Sequence, residues 1–138
     1  MKDHYCWSSG MWHDERFDND DPVVVNATLD TFNADWKLQK LLDYINELQD
    51  AFRGNHVMIP FGCDFTFANA RMNFQDMDRI IKYFNEHNSA NIHVMYSTPG
   101  EYLDALKSQN LTWPVSYYDM MPYCDNPEDC WSGYFTSR

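Results

Sequence analysis

Apolar residues take on helical spacing from about residue 35. Leu38, Leu41, Leu42, Ile45, Leu48 and Phe52 fall on one stripe with polar residues between them, the pattern of a helix that buries one face. Asn33 or Asp35 is placed to cap its start and Gly54 to end it. A second stripe, Met77, Ile80, Ile81 and Phe84, predicts a helix with Asp76 near its start. A third helix follows Thr98-Pro99-Gly100-Glu101, where Thr and Glu have capping-box spacing and Pro takes the first helical position. Tyr102, Leu103, Ala105 and Leu106 continue it.

Two short apolar runs separate these helices. His56-Val57-Met58-Ile59-Pro60-Phe61 reads as a buried strand. Its ladder stops at Pro60, which has no N–H to donate, and Gly62-Cys63-Asp64 turns the chain. Ile92-His93-Val94-Met95-Tyr96 reads as a second strand. The order helix, strand, helix, strand, helix predicts an α/β fold in which helical crossovers join parallel strands. Two strands close neither a barrel nor a doubly wound sheet, so the expectation is a slice of a larger α/β fold.

The flanks are less regular. Residues 1–32 show no period and are expected to form an irregular N-terminal segment, with a short strand at residues 23–25; residues 33–138 form the α/β unit. The stretch from Trp113 onward is aromatic and rich in turn residues. No apolar run approaches the ~20 residues of a membrane helix, and no apolar signal core follows Met1. The chain is therefore read as cytosolic or as cut from a longer secreted one. A net charge of -11 disfavours nucleic acid and anionic membrane as partners. The acidic run at residues 14–21 is a solvated loop or, through Asp18, Asp20 and Asp21, a calcium site, although the spacing fits no known calcium loop.

Four cysteines, Cys6, Cys63, Cys124 and Cys130, permit disulfides. Cys124 and Cys130 bracket a short loop and can close it in an oxidising compartment. No His joins them at zinc-site spacing. Asn26-Ala27-Thr28 and Asn110-Leu111-Thr112 are glycosylation sequons. Together these features tilt the reading toward the secretory pathway.

In parallel α/β folds, reactive groups gather past the carboxyl ends of strands. Asp64 is placed there, with Phe61, Phe65 and Phe67 around it. Aromatic neighbours strip water from a carboxyl, which suits a general acid; a turn-forming Asp is the plainer alternative. Helix capping accounts for Ser97-Thr98, and His93 reads as a packed or edge histidine. His4, His13, His56 and His87 form no pair at metal-ligand spacing. Trp131, Tyr134 and Phe135 offer flat faces that stack on sugar rings or simply fill a core, and Asp119 and Asp125 nearby can bind hydroxyl groups or shape turns.

The stretch Met58-Ile59-Pro60-Phe61-Gly62-Cys63-Asp64-Phe65, continuing to Asn69-Ala70, resembles family 38 α-mannosidases, where a strand ends in a Gly-x-Asp-Phe turn followed by Asn-Ala. His93-Val94-Met95-Tyr96-Ser97-Thr98-Pro99 with Tyr102-Leu103, Asn110-Leu111-Thr112-Trp113, Pro122-Tyr123, and Trp131-Ser132-Gly133-Tyr134-Phe135-Thr136-Ser137-Arg138 resemble later segments of the lysosomal branch, in order. The resemblance implies part of a parallel seven-stranded α/β barrel. It implies a zinc-dependent hydrolase that removes terminal α-mannose from glycoprotein glycans with retention, in a lysosome-like compartment. It assigns Asp64 as the candidate acid/base and Trp131 as a wall of the sugar pocket; Asp119, by its nearness to the aromatic group rather than by the resemblance, is the further candidate substrate contact. The family's zinc-binding His-x-Asp and its nucleophile-bearing Asp-Pro-Phe-Gly-His are absent, and the later zinc-binding His would lie beyond Arg138. Cys6 resembles half of a family disulfide whose partner is missing, and Cys124 and Cys130 are unusual at their positions. The chain alone is therefore expected to be inactive. A non-catalytic sugar-binding remnant and a structural piece that needs the missing remainder of the barrel stand as alternatives.

Overall fold

The computed structural model describes residues 21–120 and 122–135. Helix α1 spans Ala34–Ala51 and buries Ala34, Lys37, Leu41, Tyr44, Ile45 and Leu48. Most of the expected stripe faces inward, but Phe52 falls past the helix end and is exposed. Asn33 occupies the cap position without capping through its side chain. Its Oδ1 instead accepts from Val24 N (2.9 Å) and its Nδ2 donates to Pro22 O (2.9 Å). The backbone N–H groups of Asn33 and Ala34 both donate to Val24 O. This clip presses Val23 into the core at 2% exposure. Residues 23–25 consequently form no strand, because side chains and a helix start take their backbone groups.

Helix α2 spans Ala70–His87 and starts well before the Met77 stripe. Asp76 is therefore not near its start. It lies mid-helix at 1% exposure, and its Oδ1 accepts from Val23 N (3.3 Å) and from Arg79 Nη1 (3.2 Å). A carboxylate this deeply buried survives only with such partners. Ile80 and Phe84 lie on the same buried face. They join Val23, Leu41, Tyr44, Ile45 and Leu48 in one cluster, with Phe84 completely enclosed.

Val57, Ile59, Ile92 and Val94 pack against this cluster as alternate residues of two extended segments. Neither segment is a strand, contrary to the sequence expectation. At the second segment the reason is visible. Asn85 donates to Val94 O and accepts from Val94 N, both at 2.8 Å. Asn88 makes the same pair of contacts with Ile92, at 3.2 and 3.4 Å, and also donates to Phe84 O. Each amide does for one residue what a neighbouring strand would do in a ladder. Helix α2 thus holds residues 92–94 by side chains.

Helix α3 spans Pro99–Ser108 and its capping box forms. Glu101 N donates to Thr98 Oγ1 and Thr98 N donates to Glu101 Oε2. Beyond a short extended stretch, β1 (Tyr123–Asn126) and β2 (Asp129–Trp131) make an antiparallel hairpin in which Cys124 faces Cys130. Those two cysteines are disulfide-bonded. The hairpin is the β pairing found among the described residues, and it was not foreseen in a segment read as turn-rich. No parallel sheet occurs among the described residues. No helix among them is long and apolar enough to cross a membrane. His4, Cys6, His13, Asp18 and Asp20 lie outside the described part.

Replacing Phe84 with Ala is expected to cost about 3–5 kcal/mol by removing the most enclosed ring of the core. Urea unfolding followed by circular dichroism checks this; a loss below about 1 kcal/mol would mean that the α1–α2 cluster is not the stabilising centre.

Candidate functional site

Asp64 sits on the turn that ends the first extended segment. Thr66 fastens that turn: its N–H donates to Cys63 O, its hydroxyl donates to the same oxygen (2.8 Å), and its oxygen accepts from Cys63 N (3.0 Å). Cys63 is itself disulfide-bonded. Gly62 has φ 155, and Phe65 and Phe67 have φ 61 and 64. Left-handed backbone at two bulky residues within one turn is strained by about 1–3 kcal/mol each, and such strain concentrates at functional sites.

The aromatic enclosure expected around Asp64 is not built by these residues. Asp64 is exposed, and Phe65 is turned out to solvent at 88% exposure. Phe67 packs the other way, onto Phe74 of α2, with ring centroids 5.7 Å apart. Phe74 in turn meets Tyr96, at 6.3 Å. The Tyr96 hydroxyl donates to Asp78 Oδ1 (2.8 Å), one helical turn beyond Phe74 on α2. Helix α2 therefore ties the carboxyl-terminal ends of both extended segments together through Phe67, Phe74 and Tyr96. Sequence reasoning missed Phe74 and Asp78; their four-residue spacing on one helix face was the available signal.

Burial, the hydrogen bond to Asp78 and the Asp78 charge, in that order, push the Tyr96 hydroxyl up to about 12. Tyr83 is raised in the same direction, first by the hydrogen bond it gives Asp35 (2.6 Å). Its ring stacks on His87 at 4.0 Å, on the outer face of α2.

Trp131 ends β2, opposite Tyr123 in register. Its ring stacks on Tyr134 with centroids 6.3 Å apart and planes 14° apart. The rings are 53% and 60% exposed, and with Gly133 they line a shallow depression. Asp119 is exposed on the run leading to the hairpin. The side chains of Asp125 and Phe135 lie outside the described part. The structure thus brings Trp131 and Tyr134 together, while Asp64 stands on a separate element. His93 and His56 are exposed, Ser97 donates to Thr98 O, and the Thr98 hydroxyl serves the helix cap. Among the described residues no three His, Cys, Asp or Glu side chains are grouped to hold a metal ion, so these residues do not make up a zinc site. Both sequon asparagines, Asn26 and Asn110, are exposed.

The structure thus offers a strained, fastened turn that presents the exposed Asp64, and, on a separate element, an exposed aromatic pair. Residues 1–126 match the N-terminal domain of glycosyl hydrolases family 38, and the chain belongs to that family. It is 36% identical over 135 residues to a lysosomal α-mannosidase of Dictyostelium discoideum, a match covering 97% of this chain and 13% of the relative. It is 40% identical over 121 residues to the lysosomal α-mannosidase of Mus musculus and 38% identical over 125 residues to that of Homo sapiens, each covering 86% of this chain and 12% of the relative. The chain thus spans only 12–13% of the length of these relatives.

Because its folded value is raised, Tyr96 contributes stability that is complete below pH 10, the ordinary tyrosine value, and is lost as pH rises toward about 12. Following phenolate absorbance through an alkaline titration should show late-ionising tyrosine that includes Tyr96 and Tyr83, and Asp78→Ala should bring part of that ionisation down. An unchanged titration in Asp78→Ala would contradict the Tyr96–Asp78 contact.

Proposed function

We propose that this chain forms part of the catalytic domain of an α-mannosidase that removes terminal α-mannose from glycoprotein glycans with retention of configuration, and that Asp64 is its acid/base carboxyl. The observation that carries this reading is the position of Asp64. It stands on a fastened, strained turn past the end of a core-packed extended segment, inside a stretch matched to family 38. A carboxylic acid there protonates the glycosidic oxygen as the sugar–oxygen bond breaks, and the resulting carboxylate then takes a proton from the incoming water. Retention needs a second carboxylate about 5–5.5 Å away as nucleophile, supplied by the rest of the domain. Zinc, where the family uses it, would take its ligands outside the described residues. Residues 56–60 and 92–96 are read as two strands of the parallel seven-stranded barrel, with neighbouring strands also supplied by the remainder.

Two features extend the reading. Trp131 offers a flat face for the apolar side of a mannose ring, and Asp119 a carboxylate for its hydroxyl groups. The relatives are named lysosomal, which supports an acidic compartment of the secretory pathway for the whole protein. The 138 residues by themselves are expected to turn over no substrate, since a nucleophile must join Asp64.

The exposed Trp131–Tyr134 pair favours a second reading, a piece that binds sugar without chemistry. Titrating mannose into the isolated chain and into Trp131→Ala, while watching tryptophan emission, separates the two. A saturable change that the variant loses supports binding by this pair.

The direct test grafts this stretch into a complete family 38 α-mannosidase in place of its counterpart. The graft should hydrolyse a chromogenic α-mannoside, and Asp64→Asn should lower kcat by about 10²–10⁴-fold. Activity surviving Asp64→Asn within tenfold would remove Asp64 from the acid/base role.

A further inference from the structure

We propose that Asn26 is an acceptor for N-linked glycosylation, presented on a loop shaped for that reaction. The proposal goes beyond the hydrolase reading and does not depend on it. Residues 25–31 are all exposed, forming the tip of a loop whose neck is closed by the Asn33 clip on Pro22 and Val24. Inside the tip, Leu29 N donates to Asn26 O, so the backbone turns immediately after the asparagine. Asn26 Oδ1 accepts from Thr28 N (3.1 Å) and from the Thr28 hydroxyl (2.8 Å). The two polar residues of the sequon are thus already in contact. The amide oxygen is engaged twice, while the amide nitrogen, the atom that is glycosylated, has no partner among the described residues and faces solvent.

The second sequon is arranged differently. Asn110 is also exposed, but it closes α3 with φ 51 and donates its backbone N–H to Lys107 O. Thr112 is tied through its carbonyl to Arg53 Nη1 (2.6 Å), and no hydrogen bond joins it to Asn110. Sequon geometry therefore singles out Asn26.

The chemistry needs a co-substrate: an oligosaccharide activated at its reducing carbon as a lipid-linked pyrophosphate. The Asn26 amide nitrogen forms a bond to that carbon, the carbon–oxygen bond to pyrophosphate breaks, and one amide proton leaves to a base of the transferring enzyme. No oxidation is involved. The disulfide between Cys124 and Cys130 suits the oxidising compartment in which this transfer takes place. A glycan on Asn26 would also shield the neighbouring Val25 and Leu29, which are 44% and 50% exposed.

The test is peptide mapping of the whole chain, secreted from a eukaryotic cell behind a leader peptide. The protein is deglycosylated by a peptide-N-glycosidase in heavy-oxygen water, which converts each formerly glycosylated Asn to labelled Asp. The expected result is label at Asn26 in most copies, lost in Thr28→Ala and kept in Thr28→Ser. Oxidised Cys124–Cys130 in the same sample certifies that the chain entered the lumen. An unlabelled Asn26 peptide in that oxidised protein would overturn the proposal, whether or not Asn110 is labelled.

Discussion

Helix α2 is the constraint on which the rest of the structure depends. Its inner face, Ile80 and Phe84, meets Leu41, Tyr44, Ile45 and Leu48 of α1 and closes the core. Near its start Phe74 reaches the turn after the first extended segment, and toward its end Asn85 and Asn88 grip the second. Between them the buried Asp76 binds the backbone of Val23 and so draws in the N-terminal loop. Apolar burial supplies the driving force, and a few well-placed polar groups decide what lies where. Removing one partner from such a buried polar contact leaves the other unsatisfied, which costs more than the contact itself contributes.

That arrangement positions the candidate site. Thr66 and the Phe67–Phe74 contact hold the Asp64 turn. Tyr96, linked to the same helix through Phe74 and Asp78, marks the end of the second segment. The Asp64 residue itself is exposed in this chain. The chain spans 12–13% of the length of its family 38 relatives. A short disulfide-closed hairpin carries Trp131, and a short 3-10 turn brings Tyr134 onto it.

The helices were legible in the sequence because their signals are local. The stripe of Leu41, Ile45 and Leu48 and the capping box of Thr98 and Glu101 both depend on near neighbours only. The start of α2 was missed because Ala70 to Asn73 carries little apolar periodicity, while the buried Asp76 further along binds Val23, a partner far away in sequence. Asn33 looked like a cap and serves as a clip for the same reason. Residues 92–96 have the composition of a strand, but a ladder needs neighbours, and here asparagine side chains supply two of its rungs. Asp64 was found by its position after an apolar run and by resemblance, whereas its exposure depends on where Phe65 and Phe67 point, and their left-handed backbone is invisible in composition.

Amide hydrogen exchange of the 138-residue chain tests most directly whether α2 holds the second extended segment by side chains. Val94 N–H, bonded to Asn85, should exchange slowly, its neighbours His93 and Met95 quickly, and Asn85→Ala should release Val94. Equal protection of His93, Val94 and Met95, unchanged in Asn85→Ala, would show a conventional sheet neighbour on this segment and contradict the role given to α2.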